Sequence, residues 1–148
     1  ITLASIVIGI RWFADLFLSI SLGELSDKKS RQLVVNICVF LMISGSVLLI
    51  FSNSNSELMF IAFTLLFCSS VGTNVSLEAI TGHLSGSAHR SLALSRFNTW
   101  ADLGSALGPL IGFILLGFAG FQIIYIVSTS ILLFSWIIFL TIFVQDTD

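Results

Sequence analysis

The sequence has very little charge, since only 9% of its 148 residues are Asp, Glu, Lys or Arg. Hydrophobic residues make up 56% of the chain, and the mean hydropathy is +1.07. A water-soluble domain carries about a quarter of charged residues, so this composition excludes an ordinary soluble fold. We therefore expect an all-α membrane protein that crosses the bilayer several times.

Cysteine and histidine are also scarce, with two of each. Cys38 and Cys68 fall inside apolar runs, where single thiols usually pack as small apolar residues, and His83 and His89 lack the companion ligands of a metal site. The chain has no Ser-His-Asp set and no basic tract of the kind that binds nucleic acid. We expect no enzyme activity, no cofactor, no metal and no nucleic-acid partner.

Long apolar runs are what the sequence has in abundance. Five of them are long enough to cross a hydrocarbon core of ~30 Å at ~1.5 Å per helical residue. They predict a single transmembrane bundle over 1–148, with spans one to five at about 2–22, 33–51, 57–81, 91–118 and 121–144. The chain begins at Ile1 with an apolar run and shows no signal-peptide pattern, which we interpret as a segment of a longer protein.

Cations lie in two of the connections between spans. Connection 23–32 contains Lys28, Lys29 and Arg31, and connection 82–90 contains Arg90. Two spans separate these connections, so they share one side of the membrane, and the positive-inside rule places that side in the cytoplasm. We therefore expect both connections and the C-terminus to be cytoplasmic, in a plasma or inner membrane.

The first connection, GELSDKKSRQ, resembles a loop signature of major facilitator superfamily (MFS) transporters. The residues that match the signature are Gly23, Leu25, Ser26, Asp27, Lys28 and Arg31. Ser30 and Gln32 replace a glycine and a cation, as in the weaker copy of this loop in the second half of such transporters. The resemblance implies a gating loop in which Asp27 pairs with cations and a helix end to hold one state closed. The alternative is a solvated loop that only sets orientation.

Polar residues inside the spans are costly in lipid and usually face a wet interior. The candidates for a cavity that binds substrate or a coupling ion are Arg11, Asp15, Asn74, Asn98 and Asp102. Arg11 and Asp15 could contact substrate or merely neutralise each other. Asp102 could exchange a proton or pair with Arg11 across the bundle. We interpret Glu78 and Arg96 as a structural pair at the inner edge.

Spans two and five contain no ionisable residue in their apolar parts. This predicts that spans one, three and four border a polar interior, whereas spans two and five are outer helices. The resemblance implies the same division if span one is the second helix of a six-helix MFS half, because the third helix of each three-helix repeat is peripheral in that family.

Span four contains a stripe of small residues. Gly104, Gly108 and Gly112 recur every four residues and predict a groove for another helix, and Pro109 predicts a kink. The string resembles a fifth-helix signature of MFS antiporters, with Phe113 in place of the final glycine.

Together these patterns predict part of a six-helix MFS bundle, with the C-terminal half favoured. The expected function is secondary active transport of a small solute by alternating access, with membrane lipid, the missing half and, as one alternative, protons as partners. The competing hypothesis is a membrane scaffold whose charges and glycines only hold helices together. Convergence of Arg11, Asp15, Asn74 and Asp102 on one concave face would favour transport, whereas scattered residues, or residues paired off inside the packed interior, would favour the scaffold.

Overall fold

The computed structural model describes residues 5, 6, 9, 12, 13, 15–19, 21, 23, 30–52 and 55–144. Helix α1 is Arg31–Phe51 and α2 is Ser56–Leu84. A third helical stretch, Gly86–Val144, is interrupted at Gly120 and comprises α3 (Gly86–Phe118) and α4 (Gly120–Ile142). Each of the four is long and apolar enough to cross a membrane, and no strand occurs in the described ranges. The prediction of an all-α membrane bundle is confirmed.

The first predicted span, 2–22, lies partly outside the described residues, and those described in it are helical. Connection 82–90 is not a loop, because α2 continues to Leu84 and α3 begins at Gly86. Only Ser85 separates them, and its N–H donates to the carbonyl of Thr81 at 3.2 Å. Gly86 then takes φ +63°, where glycine has no Cβ to clash. Hydropathy detects the part of a helix that lies in lipid, and it therefore predicts a loop where the polar end turns of α2 and α3 are helical.

The four helices alternate in direction. The C-terminal end of α1 and the first turns of α2 and α4 surround one cavity, whose lining includes Ser52, Met59 and Phe121. At the other end, the start of α1, the end of α2 and the start of α3 surround a second cavity, lined in part by Arg31 and Arg90. We call this second end the arginine end. Arg31 and Arg90, one cation from each predicted connection, therefore lie at the same end of the bundle.

The packed interior is built around α1. Val35 and Val39 of α1 form a buried cluster with Ile80 of α2, and Trp136 of α4 packs against it. The buried residues of α2 are mostly small, and they include Ala62, Ser69, Gly72 and Ser76. Side chains of this size let two helix backbones approach closely in a membrane. The Ser76 hydroxyl is buried and has no hydrogen-bond partner among the described residues, so its size rather than its polarity suits the contact.

Helix α1 packs tightly against α2 at Gly45. A Cβ placed on this glycine would lie 3.1 Å from Cγ of Leu66 and 3.2 Å from the carbonyl oxygen of Ala62. The second of these atoms belongs to the α2 backbone and cannot move without shifting that helix. Gly45 therefore sets the distance between α1 and α2.

The burial of α1 differs from the prediction that span two is an outer helix. Helix α1 corresponds to predicted span two. In its most apolar window 39% of the residues are buried, whereas no residue is buried in the most apolar window of α3. The reason is that α1 lies between α2 and α4, with interhelical contacts along its length. Among the described helices α1 is central, and its lack of ionisable residues suits this packed position as well as it would suit a lipid-facing one.

Candidate functional site

Helix α2 carries its polar candidates on the face opposite its packed face. Ser76 and Ile80 are buried, and Asn74 and Glu78 are exposed. A two-residue offset turns the side chain by about 200° around a helix, which separates the two pairs. Asn74 therefore points away from the contact with α1.

Helix α3 presents Asn98 and Asp102 one turn apart, and both are exposed. Neither side chain forms a hydrogen bond or ion pair with any part of the chain that the structure describes. The neighbouring Ser105 hydroxyl donates to the carbonyl of Ala101 at 2.7 Å, so its polarity is satisfied within its own helix. Asn98 and Asp102 thus have unoccupied polar atoms on an open surface.

Asp15 is exposed, and Arg11 lies outside the described residues. The described cavity candidates share one property, which is that none of them lies in the packed interior. That interior consists of aliphatic and small residues instead. Asp15, Asn74, Asn98 and Asp102 are therefore not paired off inside the packed interior, which is one of the arrangements that the scaffold hypothesis predicts.

Glu78 and Arg96 were expected to form an inner-edge pair. Both are exposed, and within the described ranges neither takes part in an ion pair or hydrogen bond. The structure does not bring them together.

The gating-loop residues Leu25, Ser26, Asp27 and Lys28 lie outside the described residues. The two ends of the matched loop are described, and both lie against α2. A Cβ on Gly23 would lie 3.9 Å from Cγ1 of Val75. Nη1 of Arg31 donates to the carbonyl oxygen of Ala79 at 3.1 Å. A cation close to a helix C-terminus is stabilised by the helix dipole, so Arg31 fastens the start of α1 to the end of α2.

The glycine stripe of α3 is open. No described atom lies within 4 Å of a Cβ built on Gly104, Gly108 or Gly112, so no described helix occupies the predicted groove. The backbone keeps helical dihedral angles through Pro109. Within the described stretch from Gly86 to Val144, the backbone angles leave the helical region at Gly120 (φ 75°, ψ 173°). The proline therefore removes one hydrogen bond without ending the helix, and the interruption is at Gly120.

Sequence reasoning missed one polar contact between helices. Nε1 of Trp136 in α4 donates to Oδ1 of Asn36 in α1 at 3.0 Å. The predicted polar candidates lie in spans one, three and four, whereas Asn36 is a single neutral amide in span two, which contains no ionisable residue in its apolar part. An amide near the polar end of an apolar helix, together with a tryptophan whose N–H needs an acceptor, was the available signal.

These helices define the protein as an all-α membrane bundle with a small-residue interior and polar residues on its open faces. The sequence matches the model of the Major Facilitator Superfamily over residues 1–148. The chain therefore belongs to the Major Facilitator Superfamily, a family of secondary transporters. No curated protein and no solved structure matches it.

Proposed function

We propose that this bundle forms part of a secondary active transporter that moves a small solute by alternating access. Family membership over the whole chain supports transport in general. The observation that carries the proposal further is the exposure of Asn74, Asn98 and Asp102, which have no partner in the described chain. The facing half of the transporter closes a cavity over these residues, and the C-terminal half is the favoured identity of this bundle.

The proposed roles of these side chains follow from their chemistry. Asn74 and Asn98 each offer a carbonyl acceptor and an NH₂ donor, which suits hydrogen bonding to a polar solute. Asp15 and Asp102 are the proposed acids for proton exchange, because they lie outside the packed interior and, unlike Glu78, away from the ends of their predicted spans. In the proposed cycle, Asp102 takes up a proton when the cavity opens to one side and releases it when the cavity opens to the other.

The proposed role of the loop at 23–32 is to hold the cytoplasmic side closed. The hydrogen bond from Arg31 to Ala79 supports this role, because it couples the loop to the end of α2. Asp27→Asn is expected to lower the maximal transport rate while leaving the solute concentration at half-maximal rate nearly unchanged. Initial uptake rates over a range of solute concentrations check this. Weakened apparent affinity for the solute at a normal maximal rate would contradict this role of the loop.

The transport proposal is tested by uptake of a panel of solutes into proteoliposomes that hold the complete transporter. Asp102→Asn is expected to lower proton-driven uptake at least about tenfold, equivalent to about 1.4 kcal/mol in the barrier, and to flatten its pH dependence. Asp15→Asn is measured in parallel to assign the coupling acid.

The matched control is Glu57→Gln, which removes a carboxylate from the first turn of α2, outside the central part of the span. It is expected to transport normally. No uptake of any solute by the unmodified transporter would favour the scaffold hypothesis, and normal uptake with unchanged pH dependence in both aspartate variants would remove these acids from the mechanism.

A further inference from the structure

A cavity of about 250 Å³ lies at the end of the bundle opposite the arginine end. Three helices bound it, since its lining comes from the C-terminal end of α1 and from the first turns of α2 and α4. Leu49 and Ser52, at the end of α1, form its buried wall and are only 3% and 5% exposed. The remaining lining residues are Ile50, Met59, Phe121, Gln122 and Tyr125.

The apolar part of this cavity has room for one aromatic ring. Leu49 and Ile50 provide aliphatic side chains, Met59 provides a thioether and Phe121 provides a phenyl ring. A sulfur atom and a phenyl ring both make favourable contacts with an aromatic ring. An apolar cavity of about 150 Å³ in a protein core binds benzene. The volume of about 250 Å³ therefore accommodates a benzene ring with a small substituent.

Two polar side chains with unused hydrogen-bonding groups line the same cavity. Gln122 and Tyr125 are three residues apart and therefore lie on one side of α4. Neither the amide nor the hydroxyl forms a hydrogen bond with any residue that the structure describes. The Ser52 hydroxyl donates to the carbonyl of Leu49 at 2.9 Å, and its oxygen keeps the capacity to accept a hydrogen bond. These groups suit a ligand that carries a hydroxyl of its own.

The lining of the cavity is uncharged. Among the described residues that form it, none is Asp, Glu, Lys, Arg or His. The carboxylate closest in sequence is that of Glu57, which is two residues from Met59 and therefore turned by about 200° around α2. A charged ligand would lose its hydration in this cavity without gaining an ion pair, which is unfavourable. The cavity therefore favours a neutral ligand.

We propose that this cavity binds a small uncharged molecule with one aromatic ring and one hydroxyl group, of which phenol is the simplest. The ring lies against Met59 and Phe121, and the hydroxyl forms hydrogen bonds with Gln122 and Tyr125. The bound ligand contacts α1, α2 and α4 together and stabilises the three helix ends against one another. None of the residues proposed to bind the transported solute lines this cavity, so the inference does not rest on transport.

The methionines make a direct test possible, because the sequence has two of them and they lie in different places. Met59 lines the cavity, whereas the sulfur of Met42 accepts a hydrogen bond from Thr73 at 3.6 Å, outside the lining. The full chain is labelled with ¹³C-methyl methionine and placed in phosphatidylcholine nanodiscs. Phenol is titrated, and the two methyl signals, assigned with Met59→Leu, are followed by NMR.

The expected result is a saturable shift of the Met59 signal with the Met42 signal unchanged. Shifts of both signals that rise together without saturation would show partition of phenol into the lipid and would overturn the proposal. An unchanged Met59 signal would overturn it as well.

Two further probes test the class of ligand. Toluene has the ring without the hydroxyl, and its affinity, corrected for its partition into lipid, should be about fivefold lower, the effect of one neutral hydrogen bond. Benzoate has the ring with a negative charge at pH 7, and it should give no saturable shift. Equal affinity for toluene would overturn recognition of the hydroxyl, and binding of benzoate as tightly as phenol would overturn the selection of a neutral ligand.

Tyr125→Phe and Gln122→Leu are each expected to weaken phenol binding about fivefold, because each removes one partner of the ligand hydroxyl. The matched control is Ser130→Ala, which removes a hydroxyl from α4 at an exposed position outside the lining. It should leave the affinity unchanged. An equal loss in all three variants, or no loss in any of them, would overturn the proposed site.

Discussion

Gly45→Leu is expected to lower the free energy of unfolding by about 3 kcal/mol, at the upper end of the usual cost of overpacking. The added side chain would begin 3.1 Å from Cγ of Leu66 and 3.2 Å from the carbonyl oxygen of Ala62. Because the carbonyl is α2 backbone, the strain is relieved only by separating α1 from α2 along their shared small-residue face. Unfolding in mixed micelles, titrated with a denaturing detergent and followed by tryptophan fluorescence, measures the loss.

The matched control for this substitution is Gly104→Leu. Gly104 is also a mid-helix glycine, but no described atom lies within 4 Å of its Cβ position. Leucine forms helices better than glycine by roughly 1 kcal/mol, so this variant should be as stable as the unmodified chain or slightly more stable. Similar destabilisation at both positions would contradict the assignment of Gly45 as the contact that sets the α1–α2 distance.

Trp136→Ala is expected to cost about 3 kcal/mol, near the lower limit for removing a core tryptophan, because the side chain is only partly buried. The substitution removes packing against Val35, Val39 and Ile80 as well as the hydrogen bond to Asn36. It therefore loosens α4 from the rest of the bundle. The same detergent titration measures the effect, and Trp100→Ala, at a site that is 73% exposed, should change stability far less.

The hydrogen bond can be separated from the packing with Trp136→Phe, Asn36→Ala and the double variant. The coupling energy between the two sites should be about 0.6 kcal/mol, the average found for hydrogen bonds between membrane helices, and no more than about 1.7 kcal/mol. A coupling energy near zero, with Trp136→Ala still costly, would mean that packing alone attaches α4 to α1.

The spans could be predicted from the sequence because lipid imposes a long apolar run on each of them. The predicted span 33–51 differs from α1 by two residues at one end. The predicted start of span four at Ser91 differs by five residues, because His89 and Arg90 are polar and yet extend the helix beyond the apolar core. Hydropathy reports the solvent around a helix, whereas helix ends are set by backbone hydrogen bonds.

The partners of each helix could not be predicted in this way. No described atom lies within 4 Å of a Cβ on Gly104, Gly108 or Gly112, whereas the isolated Gly45 packs tightly against α2. A small-residue pattern shows that a face can be approached closely, and it does not say which helix approaches it. The polar candidates were predicted for the same reason as the spans, since lipid makes them costly, but their grouping depends on packing that sequence spacing does not contain.

The connections at the two ends of α3 limit how this helix can move. Ser85 and Gly86, at φ +63°, join it to α2, and Gly120, at φ +75°, joins it to α4. Both connections are very short, so α3 cannot shift along its own axis without moving the adjoining ends of α2 and α4. Because no residue in the apolar window of α3 is buried, little side-chain packing within the described bundle holds it in place, and Asp102 would move together with the ends of α2 and α4.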